Sequence, residues 1–200
     1  KKIKCNKNKL ILMNQTHSNN FKFVGSLKKT RGKKINSDAL ITNLKGICLG
    51  VLTADCAPVL IYDKNIKMIS VIHAGWKGAL GGIIKEVIFY FKKKGSNFRN
   101  INAVIGPCIS KKNYEVKEDF VTKFIKKDKK NRKFFSKKNY KTYFSLNSYI
   151  KHEIIRLGIK NIEIINRDTY NSKNNFFSAR KSIKNKVNDY GRNISVIMIN

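Results

Sequence analysis

Apolar positions along the chain fall into short runs, then a spaced stripe, then short runs again. Lys9–Asn14 reads as a strand leading into Gln15-Thr16-His17, and Asp38–Thr42 as a short extended piece. Ile47–Leu52 and Pro58–Tyr62 are two apolar strands separated by Thr53-Ala54-Asp55-Cys56-Ala57. A turn over Asp63–Lys67 leads to a further strand, Met68–His73. The period then changes. After Gly75-Trp76-Lys77-Gly78, apolar residues recur at Leu80, Ile83, Ile84, Val87, Ile88 and Phe91, which predicts one amphipathic helix. Lys92–Lys94 suit its C-terminal dipole and Gly95 ends it. Ile101–Ile105 predicts a buried strand stopping at Gly106-Pro107, and Val116–Lys127 a helix. Lys126–Asn139, the most polar stretch, predicts a surface loop. Ser145 is placed to cap a helix over Leu146–Leu157 that Gly158 closes. Ile162–Ile165 and Ile194–Ile199 are strands, and Phe176–Phe177 lies near a loop. Without repeats or a linker, the alternation predicts a single α/β (α+β) domain over residues 1–200, with mixed β-sheets and flanking helices.

With 42% hydrophobic and 10% aromatic residues in 200, a packed core is expected and intrinsic disorder is excluded. Thr53 and Asp55 interrupt the richest apolar stretch, and no run reaches the roughly 18 residues a membrane span needs. The start, KKIKCNKNKLILMN, lacks the features of a signal peptide. A cytoplasmic protein without a membrane partner is the expectation. Cys5, Cys48, Cys56 and Cys108 form no CxxC pair, which fits reduced thiols.

Charge complicates this picture. Lys+Arg 43 against Asp+Glu 12 gives +31, one signature of a nucleic-acid binder. Composition favours another source: 36 Lys, 27 Ile and 24 Asn against 7 Arg and 7 Ala is the bias of AT-rich codons. A DNA reader favours Arg, whose fork suits guanine and phosphate, and here Lys is spread along the chain. No specific nucleic-acid partner is therefore expected, although polyanions are attracted at low salt.

Candidate chemistry collects where strands end. His17 follows the first strand, Cys56 sits between two apolar strands, and His73 ends a third. Two imidazoles and a thiolate suit zinc, and three protein ligands leave a fourth position for water or substrate. The same residues also read as a core cysteine and two ordinary histidines. Asp55, directly before the thiol in an apolar segment, needs a hydrogen-bond partner or a cation if buried, and is a candidate for orienting a ligand or handling a proton. It reads equally as a turn aspartate capping local amides. The small residues of His73-Ala74-Gly75-Trp76-Lys77-Gly78 allow close backbone approach, and the helix start with Lys77 suits an anion. A tight turn with the single Trp packed on the core is the alternative.

Gln15-Thr16-His17-Ser18, Thr53-Ala54-Asp55-Cys56-Ala57-Pro58, His73-Ala74-Gly75-Trp76-Lys77-Gly78 and Ile105-Gly106-Pro107-Cys108-Ile109 together resemble the ordered signatures of the YfiH-like family. Its members carry polyphenol oxidase and laccase-domain names. Asn113-Tyr114-Glu115-Val116, Asp168-Thr169-Tyr170, Phe176-Phe177-Ser178-Ala179-Arg180 and Asp189-Tyr190-Gly191-Arg192 continue the resemblance over almost the whole chain. It implies a single domain similar to the catalytic domain of cytotoxic necrotizing factor, without the N-terminal Gly-rich stretch of the family. It implies zinc, with copper as the other metal, on His17, Cys56 and His73. It also implies phosphorolysis of adenosine, inosine and methylthioadenosine, and deamination of adenosine. On this reading Cys56, His73 and Asp55 are catalytic. Lys77, Arg180 and Gln15 contact substrate, with inorganic phosphate near Lys77 and Arg180. Lys77 stands where the family commonly has Arg, which keeps the charge and loses the fork.

Three alternatives compete. A copper-dependent polyphenol oxidase with a coupled centre needs many histidines, and the chain has His17, His73 and His152, the last on a predicted helix surface. A cysteine hydrolase editing peptidoglycan precursors would use Cys56 as nucleophile and His73 as base. A non-enzymatic nucleic-acid-binding module rests on the charge alone. Tyr114 and Phe177 suit stacking on a purine or packing in the core.

Overall fold

In β6 (Met68–Ala74), Ile69 and Val71 enter one core while Met68 and Ile72 enter another. Both faces of this strand are buried, which sets a layered architecture. The computed structural model describes residues 7–30, 32, 34–187 and 190–200. Before β6 come β1 (Leu10–Ile11), β2 (Phe21–Phe23), β3 (Ala39–Thr42), β4 (Cys48–Thr53) and β5 (Ala57–Asp63). After it come β7 (Ile101–Ile105), β8 (Glu115–Val116), β9 (Phe135–Lys138), β10 (Lys141–Phe144), β11 (Asn161–Ile164) and β12 (Asn193–Met198). The helices are α1 (Leu27–Thr30), α2 (Trp76–Gly81), α3 (Ile83–Lys93), α4 (Glu118–Lys127), α5 (Leu146–Arg156) and α6 (Ala179–Lys184).

Among the described residues the central sheet has six strands in the order β11-β7-β5-β6-β3-β2. Strand β5 runs antiparallel to both β6 and β7, β3 runs antiparallel to β6, and β11 and β2 run parallel to β7 and β3. The register pairs Ala57 with Ala74, Ala39 with Ile72, and Ile105 with both Val59 and Ile164. The starts of β3 and β5 and the ends of β6, β7 and β11 therefore lie at one end of the sheet. A second sheet, β1-β4-β12, covers one face, with Ile11, Met13, Leu49 and Val51 packed on Leu40, Ile69 and Val71. Helices cover the other face. Ile83, Ile84, Val87, Ile88 and Phe91 of α3 are buried there, each contributing about 1.5–3 kcal/mol. A small sheet, β8-β10-β9, closes over an aromatic cluster of Phe120, Phe124, Phe135, Phe144 and Tyr149.

The expected single mixed α/β domain is the one observed. Four local expectations are corrected. The helix after Gly75 is two helices, because Gly82 adopts φ 91 between α2 and α3. Residues 126–139, expected as a surface loop, hold the end of α4, a 3-10 segment, Lys129–Phe134, and then β9. Phe134 and Asn131 are buried there, and the Asn131 amide donates to the Phe124 carbonyl at 2.9 Å, so a polar stretch conceals a packed element. Helix α4 starts at Glu118, because Glu115–Val116 pairs with β10. Ser145 occupies the N-cap of α5 without a side-chain bond to its backbone, donating instead to Ser148 Oγ at 2.8 Å. Cys5 and Asp189 lie outside the described residues.

Candidate metal and substrate site

All three candidate ligands reach the same end of the central sheet. Cys56 immediately precedes β5, His73 is the penultimate residue of β6, and His17 follows β1 in a turn at φ 58. One donor atom from each lies within 4.8 Å of the others. Cys56 Sγ and His17 Nε2 are 4.0 Å apart, and the two imidazoles meet edge to face with centroids 4.7 Å apart. Backbone must come close for this. A Cβ on Gly75 would lie 3.0 Å from Cys56 Sγ and 3.1 Å from His17 Cδ2.

The carboxylate that organises these ligands is Asp38, just before β3 and fully buried. Its Oδ1 accepts from His73 Nδ1 at 2.8 Å and from the His17 amide at 3.0 Å. Its Oδ2 accepts from the Ser18 amide at 2.7 Å, Ser18 Oγ at 2.8 Å, Thr16 Oγ1 at 3.0 Å and the Thr16 amide at 3.2 Å. One side chain thus holds the left-handed turn at His17 and leaves Nε2 of His73 for a ligand. Burial alone would push the Asp38 carboxyl up. The hydrogen bonds from His73 and Ser18 outweigh it and hold the group well below the usual range. His17 is lowered by burial and by its neighbours His73 and Lys77, against the pull of Asp38.

Asp55 has another place. It sits at φ 83 and accepts from Thr169 Oγ1 at 2.7 Å, Ser178 Oγ at 3.0 Å and the Arg180 amide at 2.7 Å. Its carbonyl accepts from the Ile109 amide at 3.0 Å. It ties the Cys56 loop to three other segments, and orienting His73 falls to Asp38. Burial, with Asp55 and Asp38 nearby, pushes the Cys56 thiol up to about 12. The free thiol is therefore protonated and a poor nucleophile, while a bound cation would favour the thiolate. Cys108 is likewise pushed to about 12, by burial and by Cys56.

The predicted substrate contacts separate. Gln15 donates from Nε2 to the Leu52 carbonyl at 2.6 Å and accepts the Leu52 amide at 3.0 Å. Both ends of its side-chain amide thus hold the cleft wall against β4. Lys77 is exposed, with Nζ 5.8 Å from the Trp76 ring. Arg180 lies over Tyr114 at 5.6 Å, and its Nη1 donates to the Glu115 carbonyl at 3.0 Å. Tyr114 meets Phe120 and Phe144 edge-on, whereas Phe177 is exposed. His152 rests against Phe134 at 5.3 Å, away from the three ligands. The ligands open into a cleft of about 290 Å³, walled by Met13–Gln15 and Leu52–Ala54 and bordered by Tyr190 and Arg192. Asp38 and Arg192 were not among the predicted site residues. A lone acid directly before the apolar Ala39–Thr42 run was the available signal for the first, and the Tyr190-Gly191-Arg192 motif for the second.

Comparison with known proteins gives the family. The model described as multi-copper polyphenol oxidoreductase laccase matches residues 1–200. The chain belongs to this YfiH-like family. Within it, the chain is similar to a purine nucleoside phosphorylase of Rickettsia prowazekii, 33% identical over 192 residues, covering 95% of this chain and 78% of the relative. It is also similar to an adenosine deaminase from an unknown prokaryotic organism, 40% identical over 89 residues, covering 44% of this chain and 34% of that one. The crystal structure of YfiH from Bacillus licheniformis superposes with TM-score 0.89 at 26% identity, covering 98% of this chain and 76% of the other. Among the described residues no helix is long and apolar enough to cross a membrane.

Proposed function

We propose that this YfiH-like chain is a zinc-dependent purine nucleoside phosphorylase that also deaminates adenosine. The observation that carries the reading is the convergence of His17, Cys56 and His73 in a cleft, with Asp38 bonded to His73 Nδ1. Nitrogen and sulfur donors with a carboxylate behind one imidazole fit zinc and leave a ligand position facing the cleft. The names of the relatives supply the substrate class.

His17, Cys56 and His73 would hold the metal, and Asp38 keeps both histidines in register. When bound, zinc supplies Lewis acidity that makes water nucleophilic near neutral pH. Asp55 fixes the Cys56 loop through Thr169, Ser178 and the Arg180 amide. In phosphorolysis a phosphate oxygen forms a bond to C1′ of the ribose as the C1′–N9 bond breaks. The electron pair leaves on the purine, which takes up the proton that hydrogen phosphate loses. Lys77, the cation whose charge reaches His17, would steer phosphate towards the site. Burial and the neighbouring carboxylates of Asp55 and Asp38 raise the free Cys56 thiol, which favours the metal-ligand role over the cysteine-hydrolase alternative.

The test is incubation of metal-analysed protein with adenosine or inosine, with and without phosphate, and separation of products. Free base with ribose 1-phosphate, lost in His73→Ala, is the expected result. Phosphate-independent inosine from adenosine is the expected second product. A zinc-loaded protein without either product, or a His73→Ala variant with full turnover, overturns the reading.

A further inference from the structure

We infer that Arg192 is the oxyanion-binding arm of the cleft and takes inorganic phosphate, or the phosphate of a sugar 1-phosphate. The cleft wall is polar or apolar almost throughout: Met13, Asn14, Gln15, Leu52, Thr53 and Ala54. Beyond the two imidazoles on the floor, its single charged side chain among the described residues is Arg192. The two cations expected from sequence to bind phosphate are not in this lining. Lys77 lies beside Trp76, and the Arg180 guanidinium sits on Tyr114 with Nη1 on the Glu115 carbonyl.

Arg192 is also held in place. Its guanidinium stacks 4.1 Å from the centroid of Tyr190, and Nη1 donates to the Tyr190 and Gly191 carbonyls. The next residue, Asn193, pins the loop from both sides. It donates to the Thr53 carbonyl at 3.1 Å and the Phe177 carbonyl at 2.8 Å, and accepts the Phe177 amide at 2.9 Å. Gly191 packs closely against the Phe177 ring, where a Cβ would lie 2.6 Å from ring carbons. Side chain and backbone are therefore preorganised, which lowers the cost of ordering the arm on binding. Nη1 is committed to the Tyr190 and Gly191 carbonyls, and the Nε and Nη2 donors on the same planar cation can still meet an oxyanion in a pair, which an ammonium cannot do.

The anion class is phosphate because a charge-neutral nucleoside needs no cation. The co-substrate of phosphorolysis does, so the assignment deepens the phosphorylase reading and rests on it for the use of that anion. The site itself is tested without turnover. Calorimetric titration of inorganic phosphate at about 0.15 M salt, where the Debye length is about 8 Å, suppresses diffuse binding to the basic surface. One site is expected in the wild type, weakened about ten- to a hundredfold in Arg192→Ala and less in Arg192→Lys, where charge remains but the fork is lost. Lys64→Ala, in the turn between β5 and β6 at the end of that strand pair opposite the cleft, controls for diffuse attraction and is expected to bind as wild type. In turnover, Arg192→Ala is expected to raise the KM for phosphate by the same factor while the KM for nucleoside holds. The same titration with ribose 1-phosphate separates the two phosphate sources. Unchanged phosphate affinity in Arg192→Ala, or equal weakening by Lys64→Ala, overturns the inference. Phosphate binding that depends on Arg192 in a protein that turns over no nucleoside overturns the phosphorylase reading and leaves the anion site standing.

Discussion

At the scale of single residues, Asp38 sets the geometry of the site. Six hydrogen bonds converge on its two oxygens, and two of them come from the histidines' own turn and ring. A carboxylate is acceptor-only when ionised, so every one of these donors is satisfied at once. Asp38→Asn converts one oxygen into a donor facing donors. The expected outcome is a zinc affinity lowered about ten- to a hundredfold in chelator competition, with far-ultraviolet circular dichroism unchanged. Wild-type affinity in that variant would show that the Asp38–His73 bond does not orient the ligand. If Cys56 holds the metal, chelation is expected to open it to alkylation, and only slowly, because burial and the nearby Asp55 and Asp38 raise its thiol; a thiol that alkylates equally with and without chelator would refute the ligand role.

At the scale of elements, Asp168 joins two strand ends. It follows β11 and accepts from the Ser110 amide at 3.0 Å, Ser110 Oγ at 2.7 Å and Asn113 Nδ2 at 2.6 Å, on the segment after β7. The Tyr170 amide adds a fourth bond at 3.1 Å. Burial pushes its carboxyl up, but these bonds outweigh it and hold the group below its ordinary 3.8. A carboxyl depressed in the folded state adds stability above its unfolded pKa and loses it as pH falls through the folded value. Asp168→Ala should therefore cost about 1 kcal/mol at pH 6, discounted because water still reaches and screens this partly buried group. The gap to wild type should close in denaturant melts below about pH 4, whereas a gap that stays constant with pH would refute the linkage.

The same scale shows what could be read in advance. Cys56, His73 and His17 were legible because each interrupts or ends an apolar run, and strand ends gather at one edge of a sheet. Strands β3 to β7 and helix α5 were legible from periodicity for the same reason. Residues 126–139 were not, because Asn131 is satisfied by the Phe124 carbonyl seven residues back and β9 by a hairpin with β10, pairings that local polarity does not reveal. The roles of Asp38 and Asp55 were hidden likewise, since both depend on which loops meet, and the Asp55–Ser178 contact spans 123 residues.

At the scale of the molecule, charge opposes compaction. A net +31 on 200 residues repels itself, and the ion pairs Lys123–Asp119 and Lys141–Glu115 are largely exposed, with Arg156–Glu153 exposed on its arginine side. Such pairs contribute about 0–1 kcal/mol each. Screening should relieve the repulsion, because the Debye length falls from about 30 Å at 0.01 M to about 3 Å at 1 M. Thermal melts are expected to shift upward between low salt and about 0.5 M sodium chloride, by about 2–4 °C for each kcal/mol relieved. A flat or falling Tm would mean that the lysines are too dispersed to repel one another.

Strand β4 lies between β1 and β12, parallel to the first and antiparallel to the second. The wall of the cleft at Gln15 hangs from one neighbour and the border at Arg192 from the other. During synthesis β1 and β4 leave the ribosome well over a hundred residues before β12. A nascent chain that has exposed Thr169 to Arg180, which tie down the Cys56 loop, can therefore bring His17, Cys56 and His73 together while one edge of β4 is still bare of β12. The three candidate donors precede the arginine that borders them, so an unfinished chain would present the His17–Cys56–His73 cluster before it presents a finished cleft.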